Sequence, residues 1–133
     1  MTAVRSTFLR TVIALDAAAC GVMGAAFALD AGWLAEPLGL SPALMQPVGL
    51  FLLPYAALLA WLATRPALPR AVVWTLVGFN VVWAIESLAL VALGWTQPTT
   101  LGLGVVVGQA VAALVVADLQ YLALRKARRE AVA

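Results

Sequence analysis

Three carboxylates stand in stretches that are otherwise apolar: Asp16, Glu86 and Asp118. The amides of Asn80 and Gln109 and the hydroxyl of Tyr55 lie in the same kind of surroundings. No lysine, arginine or histidine accompanies them there. An acid in hydrocarbon costs about 2.5 to 3.5 kcal/mol to insert, so it must carry a proton, share one, or meet an amide, a hydroxyl, a cation or a partner chain. Two readings follow for Asp16 and Asp118. They share a proton or bind a cation, as a carboxylate pair does in a proton-coupled carrier, or they are two neutral acids that hydrogen-bond helices together or face interfacial water.

Other chemistries lack their residues. The chain has no histidine and one cysteine, Cys20, so the usual metal and haem ligand sets and an intramolecular disulfide cannot be assembled from it. A retinal Schiff base needs a lysine within a span, and phosphate-cradling glycine loops and nucleophile motifs are absent. No cofactor and no enzymatic activity are expected. Eight basic and six acidic residues are too few and too scattered for a nucleic-acid face.

The elements that must position these residues follow from hydropathy. The 133 residues are 65% hydrophobic, with a mean hydropathy of +1.03, far above a soluble domain. A bilayer core about 30 Å thick takes roughly 20 apolar residues as helix. Four stretches qualify: 11–29, 43–63, 71–93 and 101–124. None alternates with the period of a barrel strand. The connections hold Pro37, Pro42 and Pro47, then Pro66 and Pro69, then Gly94 and Pro98, and read as hairpin turns. Ser41 before Pro42 resembles an N-cap with proline at the first helical position. The fold class is all-α, a single membrane domain over 1–133 built as an up-down four-helix bundle.

All eight basic residues fall in the N-terminus (Arg5, Arg10), the second connection (Arg65, Arg70) or the tail (Arg125, Lys126, Arg128, Arg129). The positive-inside rule then makes both termini cytoplasmic in a bacterial inner membrane and leaves Asp30, Glu36, Trp33 and Trp95 on the far side. The bias is too one-sided for dual topology. Residues 1–29 also admit a signal-peptide reading, which the length of the apolar run disfavours. The basic tail, 125–133, is a topology anchor attracted to anionic lipid.

Orientation converts position into depth, at about 1.5 Å per helical residue. Asp16 and Asp118 come to the same inner level, Glu86 and Gln109 to an outer one, and Cys20, Tyr55 and Asn80 lie midway. Gln109 and Asp118 are about 180° apart around the fourth helix, so one continuous relay is not expected. Ala17, Gly21 and Gly24 in the first span and Gly104, Gly108 and Ala112 in the fourth mark close packing, read as contact between helices one and four or as a dimer face. Pro54 beside Tyr55 frees a backbone carbonyl and should bend the second helix.

The runs Leu15-Asp16 with Cys20-Gly21, Leu53-Pro54-Tyr55-Ala56, Asn80 with Trp83, and Asp118-Leu119-Gln120-Tyr121 resemble small uncharacterised four-span proteins of proteobacteria. That resemblance implies the four-span fold and brings no activity with it. Two functions remain from the sequence, and the first is favoured over the second because so small a chain has little room for a gated pathway. One is a non-enzymatic accessory subunit that works through membrane lipids, a membrane-protein partner or a homo-oligomer. The other is a small proton- or cation-coupled carrier or channel that uses the intramembrane acids.

Overall fold

In the computed structural model, which describes residues 3–132, Ser6 starts the first helix. Met1, Thr2 and Ala133, the ends of the expected domain and tail, lie outside the described residues. The Ser6 backbone is extended and its Oγ accepts from the Leu9 amide at 3.1 Å. This N-cap satisfies a donor that helix geometry orphans, and α1 therefore runs Thr7–Leu29, four residues ahead of the apolar stretch. Ser41 caps α3 (Pro42–Ala63) in the way the sequence suggested, accepting from the Leu44 amide at 3.2 Å with Pro42 at the first turn. Pro47 and Pro54 lie inside that helix. After it come α4 (Arg70–Ala92) and α5 (Thr100–Val132), the latter carrying the basic tail as continuous helix.

Two elements depart from plain hairpin turns. The first connection contains an eight-residue helix, α2 (Ala31–Leu38), closed by Gly39 in the left-handed conformation at φ 65°. Its Ala31 and Leu38 are buried with Leu40 and Met45 in an apolar cluster, so tertiary burial holds a helix too short to stand alone. At the other end β1 (Ala3–Val4) pairs antiparallel with β2 (Leu68–Pro69), tying the N-terminus to the second connection.

Four helices, α1, α3, α4 and α5, are long and apolar enough to cross a membrane. Their outer faces are apolar: Leu15, Val22, Ile85 and Leu101 are each at least 60% exposed. That is the surface expected of helices that meet lipid instead of water.

The helices pack as two pairs, α1 with α3 and α4 with α5, and the contact between α1 and α5 is small. Gly24 and Gly49 set the α1–α3 distance. A Cβ on Gly49 would collide with the Ala28 amide nitrogen and would stand 2.7 Å from the Gly24 carbonyl oxygen, while one on Gly24 would stand 3.0 Å from the Leu52 Cβ. This corrects the expected packing of helices one and four. A Cβ on Gly104 or Gly108 would meet nothing within 4 Å, so that stripe of α5 is open, and Gly21 would come only to ordinary contact with Ala56 of α3. Gly24 of the first span finds its partner in Gly49, a position masked in the sequence by the surrounding leucines and prolines.

Candidate functional site

Apolar plugs close the two ends of the bundle. Leu9, Ile13, Leu59, Leu62, Leu76 and Leu124 fill the end where the basic segments gather; Leu38, Leu40 and Met45 fill the other. That basic end is fixed by polar contacts as well. Arg10 Nε donates to the Ala63 carbonyl at 3.0 Å and Arg70 Nη1 to the Leu124 carbonyl at 3.3 Å, and Arg5, Lys126 and Glu130 line a separate cavity of about 280 Å³.

The polar side chains lie between the plugs. An inner cavity of about 180 Å³ is lined from all four long helices, by Asp16, Cys20 and Met23 of α1, Tyr55 of α3, Phe79, Asn80 and Trp83 of α4, and Gln109 and Val116 of α5. An outer cavity of about 140 Å³ is lined by Met23, Phe27, Met45, Trp83, Glu86 and Gln109 among others. Met23, Trp83 and Gln109 belong to both walls, so these three side chains form the layer between the two spaces. The layer is held by Trp83 Nε1, which donates to Gln109 Oε1 at 2.7 Å, while Gln109 Nε2 donates to the Val106 carbonyl at 2.9 Å.

Aromatic rings bridge α3 and α4. Phe51 and Tyr55 on one helix and Phe79 and Trp83 on the other are each four residues apart, which places each pair on one helical face. The Tyr55 and Phe79 centroids are 4.4 Å apart, Phe51 and Phe79 5.8 Å, and Phe51 and Trp83 6.1 Å. Ring contacts at these distances are stabilising beyond their burial.

Asp16 Oδ1 accepts from Cys20 Sγ at 3.5 Å. Asp16 Oδ2 and the Tyr55 hydroxyl are buried without a hydrogen-bond partner. Buried polar atoms are nearly always satisfied, by protein or by ordered water, so two orphans on one cavity mark it as the candidate site. A third orphan, Gln120 Nε2, lies one bond away: Gln120 is fully buried and its Oε1 accepts from Asn80 Nδ2 at 3.2 Å.

The expected pairings change accordingly. Asp16 joins Tyr55, Asn80 and Gln109 around one cavity. Asp118 does not join them: it is exposed and outside both linings. The reason is angular. Gln109, Ala113, Val116 and Gln120 follow the spacing of one helical face, and Asp118 stands two residues from each of the last two, about 160° to 200° away. Glu86 and Gln109 do share the outer cavity, with Glu86 at its exposed rim. Gln120 escaped the depth count because α4 and α5 are antiparallel and side chains lean toward their own helix N-terminus, so Asn80 and Gln120 reach toward each other from different levels. The signal for it was present in the eleven-residue interval from Gln109, about 20° around the helix.

No family model matches this chain, and neither a curated protein nor a solved structure matches it. Four candidate membrane-spanning helices around a polar interior are the architecture of a multi-pass membrane protein.

Proposed function

We propose that this chain is a small proton- or cation-coupled carrier of a bacterial inner membrane, with the inner cavity as its binding site and Asp16 as the coupling group. The observation that carries this reading is the unpartnered Asp16 Oδ2 in a cavity lined from all four long helices. A carboxylate there, with no basic side chain in the cavity wall, is neutralised by a proton or by a cation, and one site that accepts either in turn is the minimum device for exchange. The second cavity beyond the Met23, Trp83 and Gln109 layer extends the path toward the opposite face. Unpartnered buried polar atoms gathered on one cavity suit a binding site and have no use in a purely accessory subunit, so the carrier reading is preferred to it.

The gathering of the basic segments at one end supports a cytoplasmic location for both termini. Reporter fusions at the C-terminus should then give fluorescent protein activity and no alkaline phosphatase activity; the reverse pattern would overturn this orientation.

The exchange itself is testable in vesicles holding a pH-sensitive dye and an imposed pH gradient. Addition of sodium, potassium or tetramethylammonium chloride should, for at least one of the three, collapse the gradient with wild-type protein and not with Asp16→Asn. A gradient that none of the three cations disturbs would sink the carrier reading.

A further inference from the structure

The inner cavity narrows the class of cation. A metal ion stripped of water needs several oxygen ligands, six to eight for calcium and six for magnesium. Among the described residues no group of three or more acidic, histidine or cysteine side chains is placed to hold a metal. The amides are already committed, since both ends of Gln109 are hydrogen-bonded and the Asn80 nitrogen is bonded to Gln120. What remains is Asp16 Oδ2, the Tyr55 hydroxyl and Asn80 Oδ1, well short of six oxygen ligands, in a wall that includes Tyr55, Phe79 and Trp83.

An organic ammonium ion fits that inventory. Its charge is spread over carbon-bound hydrogens, it sheds water easily, and aromatic rings attract it without supplying oxygen ligands. Size sets a further limit. An apolar cavity of about 150 Å³ accepts benzene, so about 180 Å³ has room for a compact molecule of similar bulk.

Resting on the carrier reading for its physiological meaning, we infer that the inner cavity is a binding site for small organic ammonium ions, with Asp16 as the counter-charge and Phe79, Trp83 and Tyr55 as the aromatic wall. The site is a single one, bounded on the outer side by the Trp83–Gln109 hydrogen bond and on the inner side by the leucine plug.

Calorimetric titration of the purified full-length protein with tetramethylammonium and with tert-butanol, a neutral molecule of nearly the same shape, tests this directly. Tetramethylammonium should bind the wild type at least tenfold more tightly than tert-butanol. Asp16→Asn should weaken tetramethylammonium at least tenfold and leave tert-butanol unchanged, and Phe79→Leu should weaken tetramethylammonium several-fold. Equal affinity for the two probes, or tetramethylammonium binding that survives Asp16→Asn, would overturn the inference. If Asp16→Asn does not fold, the comparison of probes on the wild type and the Phe79→Leu result decide. Failure of this site and failure of the carrier are separable. Sodium exchange through Asp16 without tetramethylammonium binding removes only the ammonium site, whereas Asp16-dependent binding without any flux confirms the site and removes the carrier.

Discussion

Among the described residues Asn80 and Gln120 form the one buried side-chain hydrogen bond between α4 and α5, and they show what a polar residue costs in such an interior. Their bond uses Asn80 Nδ2 and Gln120 Oε1 and leaves Gln120 Nε2 without a partner. Removing one side of the pair leaves the other buried and unsatisfied, at about 1 to 3 kcal/mol. Asn80→Leu and Gln120→Leu should each lower stability by that amount, and the double variant should cost less than the two single losses together; thermal or denaturant unfolding in detergent reads the difference. Full additivity would mean that the pair is not coupled. At this scale the sequence showed which side chains matter better than which ones meet. Asp16, Tyr55, Asn80 and Gln109 were visible as polar residues in apolar runs, and all four line one cavity. The partner of Asp16 was not visible, because depth counted from flanking arginines ignores which way a helix face turns. Asp118 has the right depth for Asp16 and the wrong angle.

Among the elements, the α1–α3 contact is fixed by backbone proximity at Gly24 and Gly49, as the α2–α5 contact is at Gly102 against Leu38. Gly49→Ala places a methyl against the Ala28 amide and the Gly24 carbonyl and should cost about 1 to 3 kcal/mol as overpacking. Gly104→Ala and Gly108→Ala add a methyl to open space, where the gain in helix propensity, up to about 1 kcal/mol, is not opposed. Unfolding curves that rank Gly49→Ala as the least stable of the three would support this; equal stability of all three would contradict it. The long helices could be read from hydropathy because each is apolar over its whole length. The short elements could not. α2 depends on burial of Ala31 and Leu38 against Met45, and β1 exists only because Val4 lies beside Leu68, contacts between segments far apart in sequence.

For the whole molecule, the arrangement in pairs has a mechanical consequence. The α1–α3 pair is locked at Gly24 and Gly49 and the α4–α5 pair by Asn80 and Gln120, whereas between the apolar plugs the pairs meet through aromatic rings and around cavities. The seam between them is the natural place for relative motion, and the Trp83–Gln109 bond crosses from α4 to α5 at the level where the two cavities adjoin. Opening either apolar plug by movement at that seam would expose Asp16 to one side of the membrane at a time, the requirement for exchange of a proton against a cation.

Because Asp16 faces the cavity and Asp118 faces outward, the most direct measurement is the uptake of tetramethylammonium into vesicles driven by a pH gradient, compared for Asp16→Asn and Asp118→Asn. Asp16→Asn should abolish the uptake and Asp118→Asn should retain most of it. Loss of uptake in Asp118→Asn with Asp16→Asn still active would contradict the assignment of the site.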